Sequence, residues 1–568
     1  MAATAEATQR GSLGTEGLKR DVGLLGLMWA SEGSIIGSGW LFGALLATTL
    51  AGPASVISWI VASIIIIILA LVHAELGGIF PVTGGTSRFP HYAFGSFAGA
   101  TFGWFAYLQA AAVAPIEVLA TIQYTSTYSW ASSWYKSNGT LSGAGIGIAI
   151  ALIVVFVILN IIGIRWLATA NTAITTWKVI VPVLAIIVFL LAHFHGSNFS
   201  AGGGFFLKGV SAPKSIMTAI PDGGIVFALL GFEQAVQLGG ESRNPQRDLP
   251  RAVIGSIIIG AIIYILVQFA FIGALNPATV AHYHNWALLG GDLPLSAAPY
   301  ATVAAAAGLG WLVWILHFDA VVSPGGTGLI YLTSTSRLSF GLSKNGYIPQ
   351  AFEKTVQRTK IPVLSVIVAS VIGVLFLLPF PSWGKLVGVV TSASVMMYAA
   401  APLALGALRQ SKPELPRSYL LPGGKILAPL SFVLATFIVY WSGWETYSTL
   451  MVALIIGYLL MIASKAFHLN PNVPKIDWGA AKWILSYLVG LGLISYFGQY
   501  GTGGIIGGVG VFKSVIVGGD LKLPLYWDLV VCGAFSLAIY YWALYSRLPS
   551  HQVDEYVKDV YPPAEVGH

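Results

Sequence analysis

The chain has 568 residues, 56% hydrophobic and only 9% charged, with 29 Lys and Arg against 22 Asp and Glu. Soluble proteins carry about 25% charged residues, so the composition excludes an ordinary soluble enzyme or binding domain. The net charge of +7 comes from basic residues scattered over short loops, which argues against a nucleic-acid partner and fits the positive-inside distribution of a membrane protein.

The first 21 residues are polar and have no short apolar core before a cleavage site, so they read as a tail rather than a signal peptide. Apolar runs long enough for a bilayer core then recur. Fourteen candidate spans lie near 22–50, 54–79, 97–128, 145–164, 170–193, 214–239, 252–275, 300–336, 362–380, 386–408, 427–444, 446–464, 482–499 and 525–546. The third and eighth exceed one crossing, and each is expected to include an interfacial or tilted piece. With the N-terminus in the cytosol, 22 of the 29 basic residues fall in inside segments, six fall in outside loops and Lys178 stays within a span. That bias puts both termini, 1–21 and 547–568, in the cytosol of a multi-pass cell-membrane protein. Cys532 is the single cysteine, so no internal disulfide forms.

The first span carries "SIIGSGWLFG" (34–43) at its middle. Each interior glycine there costs a helix about 1 kcal/mol relative to alanine. Five spans later, "FALLGFEQ" (227–234) follows "PDGG". A repeat of five helices sets its second copy upside down, and matched breaks in two inverted halves point to a transporter's binding site. Close packing on small residues is the alternative, but it does not account for the matched positions. An unwound turn at mid-bilayer is tolerated only where it lines a cavity or meets a ligand. Its free N–H groups favour a carboxylate and its free carbonyls an ammonium, which together suit a zwitterion.

"GSIIGSGWLFG" (33–43) and "PVTGGTSRFPHYAFG" (81–95) resemble motifs of the amino acid–polyamine–organocation permeases, as do "FALLGFEQAVQLGGESRNPQRDLPRA" (227–252) and "TSRLSFGLSKNGYIPQAF" (335–352). The resemblance covers residues 20 to about 465. The "GSGWLFG" form and two extra C-terminal spans look most like the branch labelled aspartate–proton symporters. The resemblance implies an all-α integral membrane protein with a five-plus-five inverted-repeat core, broken helices 1 and 6, and about 14 transmembrane helices in all. The first repeat would span 22–193 and the second 214–410, with further helices over 427–546. It also implies secondary transport of amino acids without a cofactor. The substrate carboxylate would meet Ile36, Gly37, Ser38 and Gly39, and its amino group the backbone around Phe227, Ala228 and Leu230. Trp40 stands where the family has a smaller aliphatic residue; it either narrows the pocket or faces a neighbouring helix.

Ionisable residues inside a membrane are costly and mark function. Lys178, in "NTAITTWKVIVPVL", resembles a lysine on the fifth helix of proton-coupled members, where it takes the place of a sodium ion. A desolvated lysine exchanges its proton more readily than one in water, so H+ is the expected coupling ion. The alternative is a fixed cation paired with a carboxylate such as Glu32. Glu117 on span three has three open roles: counter-ion for a cationic substrate group, proton relay, or structural hydrogen bond. Glu233 is expected to fix the broken helix, and Asp222 to cap a half-helix or gate. Asp319, after Trp311, Trp314 and His317, and Glu32, one turn before the first break, are further candidate proton sites. Glu75 and the 241–251 loop look like a closing salt-bridge network. The pairs His193/His195 and His282/His284 lack acidic or cysteine partners nearby, so no metal site is expected.

No nucleotide-binding loop and no hydrolase motif occurs, so neither an ATP-driven pump nor a membrane enzyme is expected. The expected function is proton-coupled import of a small amino acid across the lipid bilayer by alternating access. Transport or exchange of cationic amino acids or polyamines is the alternative, ahead of a channel or a non-transporting receptor. Oligomeric state is not legible.

Overall fold

The computed structural model describes residues 21–136, 139–162, 164–356, 362–378, 382–500, 527–558 and 560–561. Of the basic residues counted above, Arg10, Lys19, Arg20, Arg358, Lys360, Lys513 and Lys522 lie outside the described residues.

Two helical pieces, α1 (Leu24–Ile35) and α2 (Gly39–Ala51), make up the first span. At 12 and 13 residues, neither half reaches across a bilayer core of about 30 Å at 1.5 Å per residue, but the two together do. The chain continues through a bend at Gly52 into α3 (Ser55–Ile79). A ten-residue helix, α4 (Gly85–Phe94), then leads to α5 (Ser96–Thr125), α6 (Gly143–Ile162) and α7 (Ile164–Ala192). The sixth span is again in pieces: α8 (Ala212–Asp222), α9 (Ile225–Ala228) and α10 (Glu233–Gln237). Beyond them lie α11 (Pro245–Ala274), α12 (Gly310–Lys344), α13 (Val363–Leu377) and α14 (Trp383–Ser411). The last group is α15 (Gly424–Trp441), α16 (Gly443–Ala466), α17 (Trp483–Phe497), α18 (Trp527–Ser546) and a short tail helix, α19 (Ser550–Tyr556).

Among the described residues, eleven helical stretches are long and apolar enough to cross a membrane. They differ from the fourteen expected spans at three places. The first span joins the second in one stretch, Gly39–Ile79; the sixth is too fragmented; and α13 is too short at 15 residues. The eighth span divides as expected of an overlong run, with Pro299–Ala306 separated from α12 by Gly308 at φ +74°. The third does not divide, and α5 runs as one 30-residue helix.

Burial sorts the helices. α14 is enclosed along its most apolar stretch, and α5 nearly so. α6 and α16 turn residues such as Val154, Ile158 and Leu459 outward, as helices apolar on all sides do in lipid. α5 packs along α12 and α14, α3 along α11, and α1 against α7, α11 and α12, so the break in α1 sits at the centre of the bundle. The two broken spans touch there. A side-chain carbon on Gly39 would lie 2.8 Å from Ala228 Cα, and one on Gly231 would lie 2.6 Å from the Ile35 nitrogen. Gly231 also has φ +131°, a conformation that glycine adopts without strain.

Candidate functional site

Stopping α1 at Ile35 leaves backbone groups of both polarities without helical partners. On the carbonyl side, Gly33 O accepts from Lys178 Nζ and, at 2.9 Å, from Thr327 Oγ1. Lys178 Nζ donates to Thr327 Oγ1 as well, at 2.6 Å, and Ile35 O accepts the Tyr264 hydroxyl at 2.7 Å. On the N–H side, Ser38 N donates to Glu117 Oε2 at 2.8 Å. A cation thus rests on the carbonyl end of one half-helix and a carboxylate on the N–H end of the next, the arrangement helix-end electrostatics favours.

Lys178, Glu117, Asp319 and Glu32 are all buried, at 0–1% exposure. Lys178 does not hydrogen-bond Glu32, the partner named as the alternative from sequence. It turns instead to a backbone carbonyl and a threonine, and both Glu32 oxygens lack a hydrogen-bond partner among the described residues. Asp319 accepts from Trp40 Nε1 at 3.0 Å and from Ser323 Oγ at 2.6 Å. Trp40 therefore faces α12, packs at a tilt against Tyr300 with ring centroids 5.0 Å apart, and does not line the central pocket.

Between the breaks lies a void of about 10 Å³, room for roughly one water. Gly37, Gly39, Glu117, Phe227 and Leu230 line it, together with Thr327, Tyr331, Val113, Ser34 and Ile35. Of the expected substrate contacts, Ile36, Ser38 and Ala228 do not line this void; Ser38 reaches it through the amide held by Glu117. Sequence reasoning missed Thr327 and Tyr331. Their signal was the small-residue run "SPGGTG" (323–328) in the eighth span, which lets α12 approach α1 and α7 closely. Glu233 fixes the second break: its carboxylate accepts Gly231 N at 2.8 Å, Tyr331 OH at 3.0 Å and Tyr398 OH at 2.6 Å.

The chamber is closed on two sides. On one, Trp383 Nε1 donates to Ser38 Oγ at 2.9 Å, and its ring meets Phe227 edge-on at 5.8 Å. Its neighbours Ser382 and Gly384 line a second cavity of about 580 Å³, along with Lys214, Asp222, Lys385 and Glu445. Trp383 therefore stands between the chamber and this larger opening. On the side of Glu241 and the start of α11, where the expected 241–251 loop turns helical from Pro245, Ser334 donates to Gln237, and Arg337 pairs with Glu241 at 2.5 Å. Glu75, fully buried, takes Arg409 Nε at 3.0 Å and Arg417 Nε at 3.3 Å. The expected salt-bridge network exists around Glu75 and Glu241, but its arginines are 337, 409 and 417; Arg243, Arg247 and Arg251 form no ion pair among the described residues.

A helical membrane bundle that holds a small polar chamber between two interrupted helices, closed on both sides, has the build of a transporter. Comparison with known proteins narrows the class. A family model of amino acid permeases matches residues 22–462. The glutamate/serine transporter AimA of Bacillus subtilis (strain 168) is 35% identical over 546 residues, which cover 95% of this chain and 96% of that one. The aspartate-proton symporter of the same organism is 34% identical over 544 residues, covering 94% and 98%. Its branched-chain amino acid permease BcaP is 25% identical over 482 residues, covering 81% and 96%. The chain belongs to the amino acid permease family of the amino acid–polyamine–organocation superfamily.

Proposed function

We propose that the protein imports small amino acids, neutral or acidic, together with protons, by alternating access around the broken first and sixth spans. The substrate's carboxylate meets the N–H groups of the 36–39 turn, and its ammonium meets the carbonyls around Phe227, Ala228 and Leu230. Trp383 is the gate on the outside; the Glu75 and Glu241 ion pairs close the cytosolic side, where both termini lie. The names of the two relatives matched over more than nine-tenths of the chain support this substrate class.

One observation carries the coupling: the Lys178 ammonium sits on Gly33 O and Thr327 Oγ1. A cation bound by a helix-end carbonyl and a hydroxyl fills the place a metal ion such as sodium would take. Losing its proton to the cytosol releases those groups and loosens the closed arrangement; regaining it from outside restores them.

Proteoliposomes test the reading. An inward proton gradient should drive uptake of L-serine, L-glutamate or L-aspartate, and a sodium gradient alone should not. Lys178→Met should abolish stimulation by acid. Unchanged pH dependence in that variant would move the proton site elsewhere. Selective uptake of lysine or putrescine would favour the cationic-substrate alternative.

A further inference from the structure

Glu117 holds the Ser38 N–H at 2.8 Å, the group to which the reading above gives the substrate's carboxylate. We propose that Glu117 is an internal stand-in for that carboxylate, which an arriving amino acid displaces and thereby obliges to take up a proton. The proposal rests on the amino acid transport reading and names a specificity-determining residue of the same site.

The geometry carries it in three ways. Glu117 covers Gly37 as well as Ser38 in the unwound turn, because a side-chain carbon on Gly37 would lie 2.8 Å from its Oε1. Its hold is slight for a buried carboxylate, since Oε1 has no hydrogen-bond partner among the described residues. Finally, the void of about 10 Å³ admits no amino acid while Glu117 stays where it is.

Two ionised carboxylates cannot share one donor in a low-dielectric chamber. When the substrate's carboxylate takes the Ser38 N–H, Glu117 loses that bond and swings aside. A proton from the outer water then adds to its carboxylate, forming an O–H bond, while the substrate stays ionised. After release to the cytosol, the proton leaves for cytosolic water and the carboxylate returns to Ser38. One amino acid has crossed with one proton on Glu117, in addition to the proton that Lys178 exchanges, and with no other reactant. The titratable groups facing Glu117 are Lys178 from α7, Tyr264 from α11 and Tyr331 from α12, with Asp319 farther along α12 beside Trp40. Lys178 is fixed on the carbonyl side of the turn by Gly33 and Thr327, so the displaced carboxylate is neutralised by a proton rather than by that ammonium. An amine without a carboxylate has nothing to exchange for Glu117 and is excluded.

The test uses the purified full-length protein in nanodiscs, with L-serine, L-glutamate and ethanolamine as probes. Calorimetry in buffers of different ionisation enthalpy should show wild type taking up about one proton per serine or glutamate bound, and ethanolamine should not bind. Glu117→Gln and Glu117→Ala should bind serine at least as tightly as wild type, with that proton uptake lost. Infrared difference spectra of wild type with carbon-13-labelled serine need no variant and should show a new protonated-carboxyl band from the protein. Absence of that band, undiminished proton uptake in Glu117→Gln, or lost serine binding by folded variants would overturn the proposal. Serine binding by wild type without proton uptake sinks the role of Glu117 and leaves amino acid transport standing. Failure to bind any amino acid overturns both.

Discussion

At the scale of single residues, the site depends on positions where a side chain cannot be placed. Gly231 sits at φ +131° with the Ile35 nitrogen and Ser34 Cβ within 2.8 Å of where its own Cβ would be. Gly231→Ala should add backbone strain of about 1–3 kcal/mol and push the two breaks apart. It should lower both the thermal-unfolding midpoint and the uptake rate. Gly325→Ala on α12 is the control, because nothing lies within 4 Å of its added carbon; equal effects of the two substitutions would refute the contact. Individual residues were legible to different degrees. Lys178, Glu117 and Glu233 stood out because ionisable groups in apolar runs are conspicuous. Their partners did not, because Gly33 O, Ser38 N and Gly231 N are backbone atoms that every residue possesses. Trp40 could be read two ways until its indole was found on Asp319, since a contact across 279 positions leaves no local trace.

At the scale of elements, the long helices follow directly from apolar runs, whereas the short ones are hidden by their length. α4 has ten residues, with Pro90 inside it, and too little apolar content to register as a span. It forms the seat of the tail helix α19. His91 on α4 meets the Tyr556 ring at 4.4 Å and shares a hydrogen bond of 2.6 Å between its Nδ1 and the Tyr347 hydroxyl. Leu548 N donates to Ala93 O at 3.1 Å, and Lys412 pairs with Asp554 at 2.6 Å. Burial, and then the charge of Arg88, hold His91 down to about 3, so it is neutral when docked. A free histidine titrates near 6.5, so between those values the undocked state binds a proton that the docked state does not. Stability is therefore complete above about pH 6.5 and falls as pH drops towards 3, by up to about 1.4 kcal/mol per unit. Amide exchange of residues 548–558 should be faster at about pH 5 than at neutrality, after correction for intrinsic rates. His91→Phe should remove the difference. Equal protection of the wild-type tail at both pH values would rule the coupling out.

At the scale of the whole molecule, two asymmetries organise the transporter. The first is structural: one side of the chamber is closed by a single indole next to a cavity of about 580 Å³, and the other by layered hydroxyl, carboxylate and guanidinium contacts. The second is the distribution of basic residues, on which the proposed orientation places the guanidinium-rich side in the cytosol. Both were partly legible in the sequence, the second from loop charges and the first from the acidic and basic residues around 75 and 241. The arginines that close the network lie far along the chain, at 337, 409 and 417, and only folding brings them there. The proposed orientation rests on the two together and can be measured directly. Lys136, before α6, and Lys425, at the start of α15, are both exposed and lie on opposite sides by this reading, while the native Cys532 is buried and gives little background. In intact cells, a membrane-impermeant maleimide should label Lys136→Cys. Lys425→Cys should react only after permeabilisation. Labelling of both before permeabilisation, or the reverse order, would overturn the orientation and with it the placing of Trp383 as the outer gate.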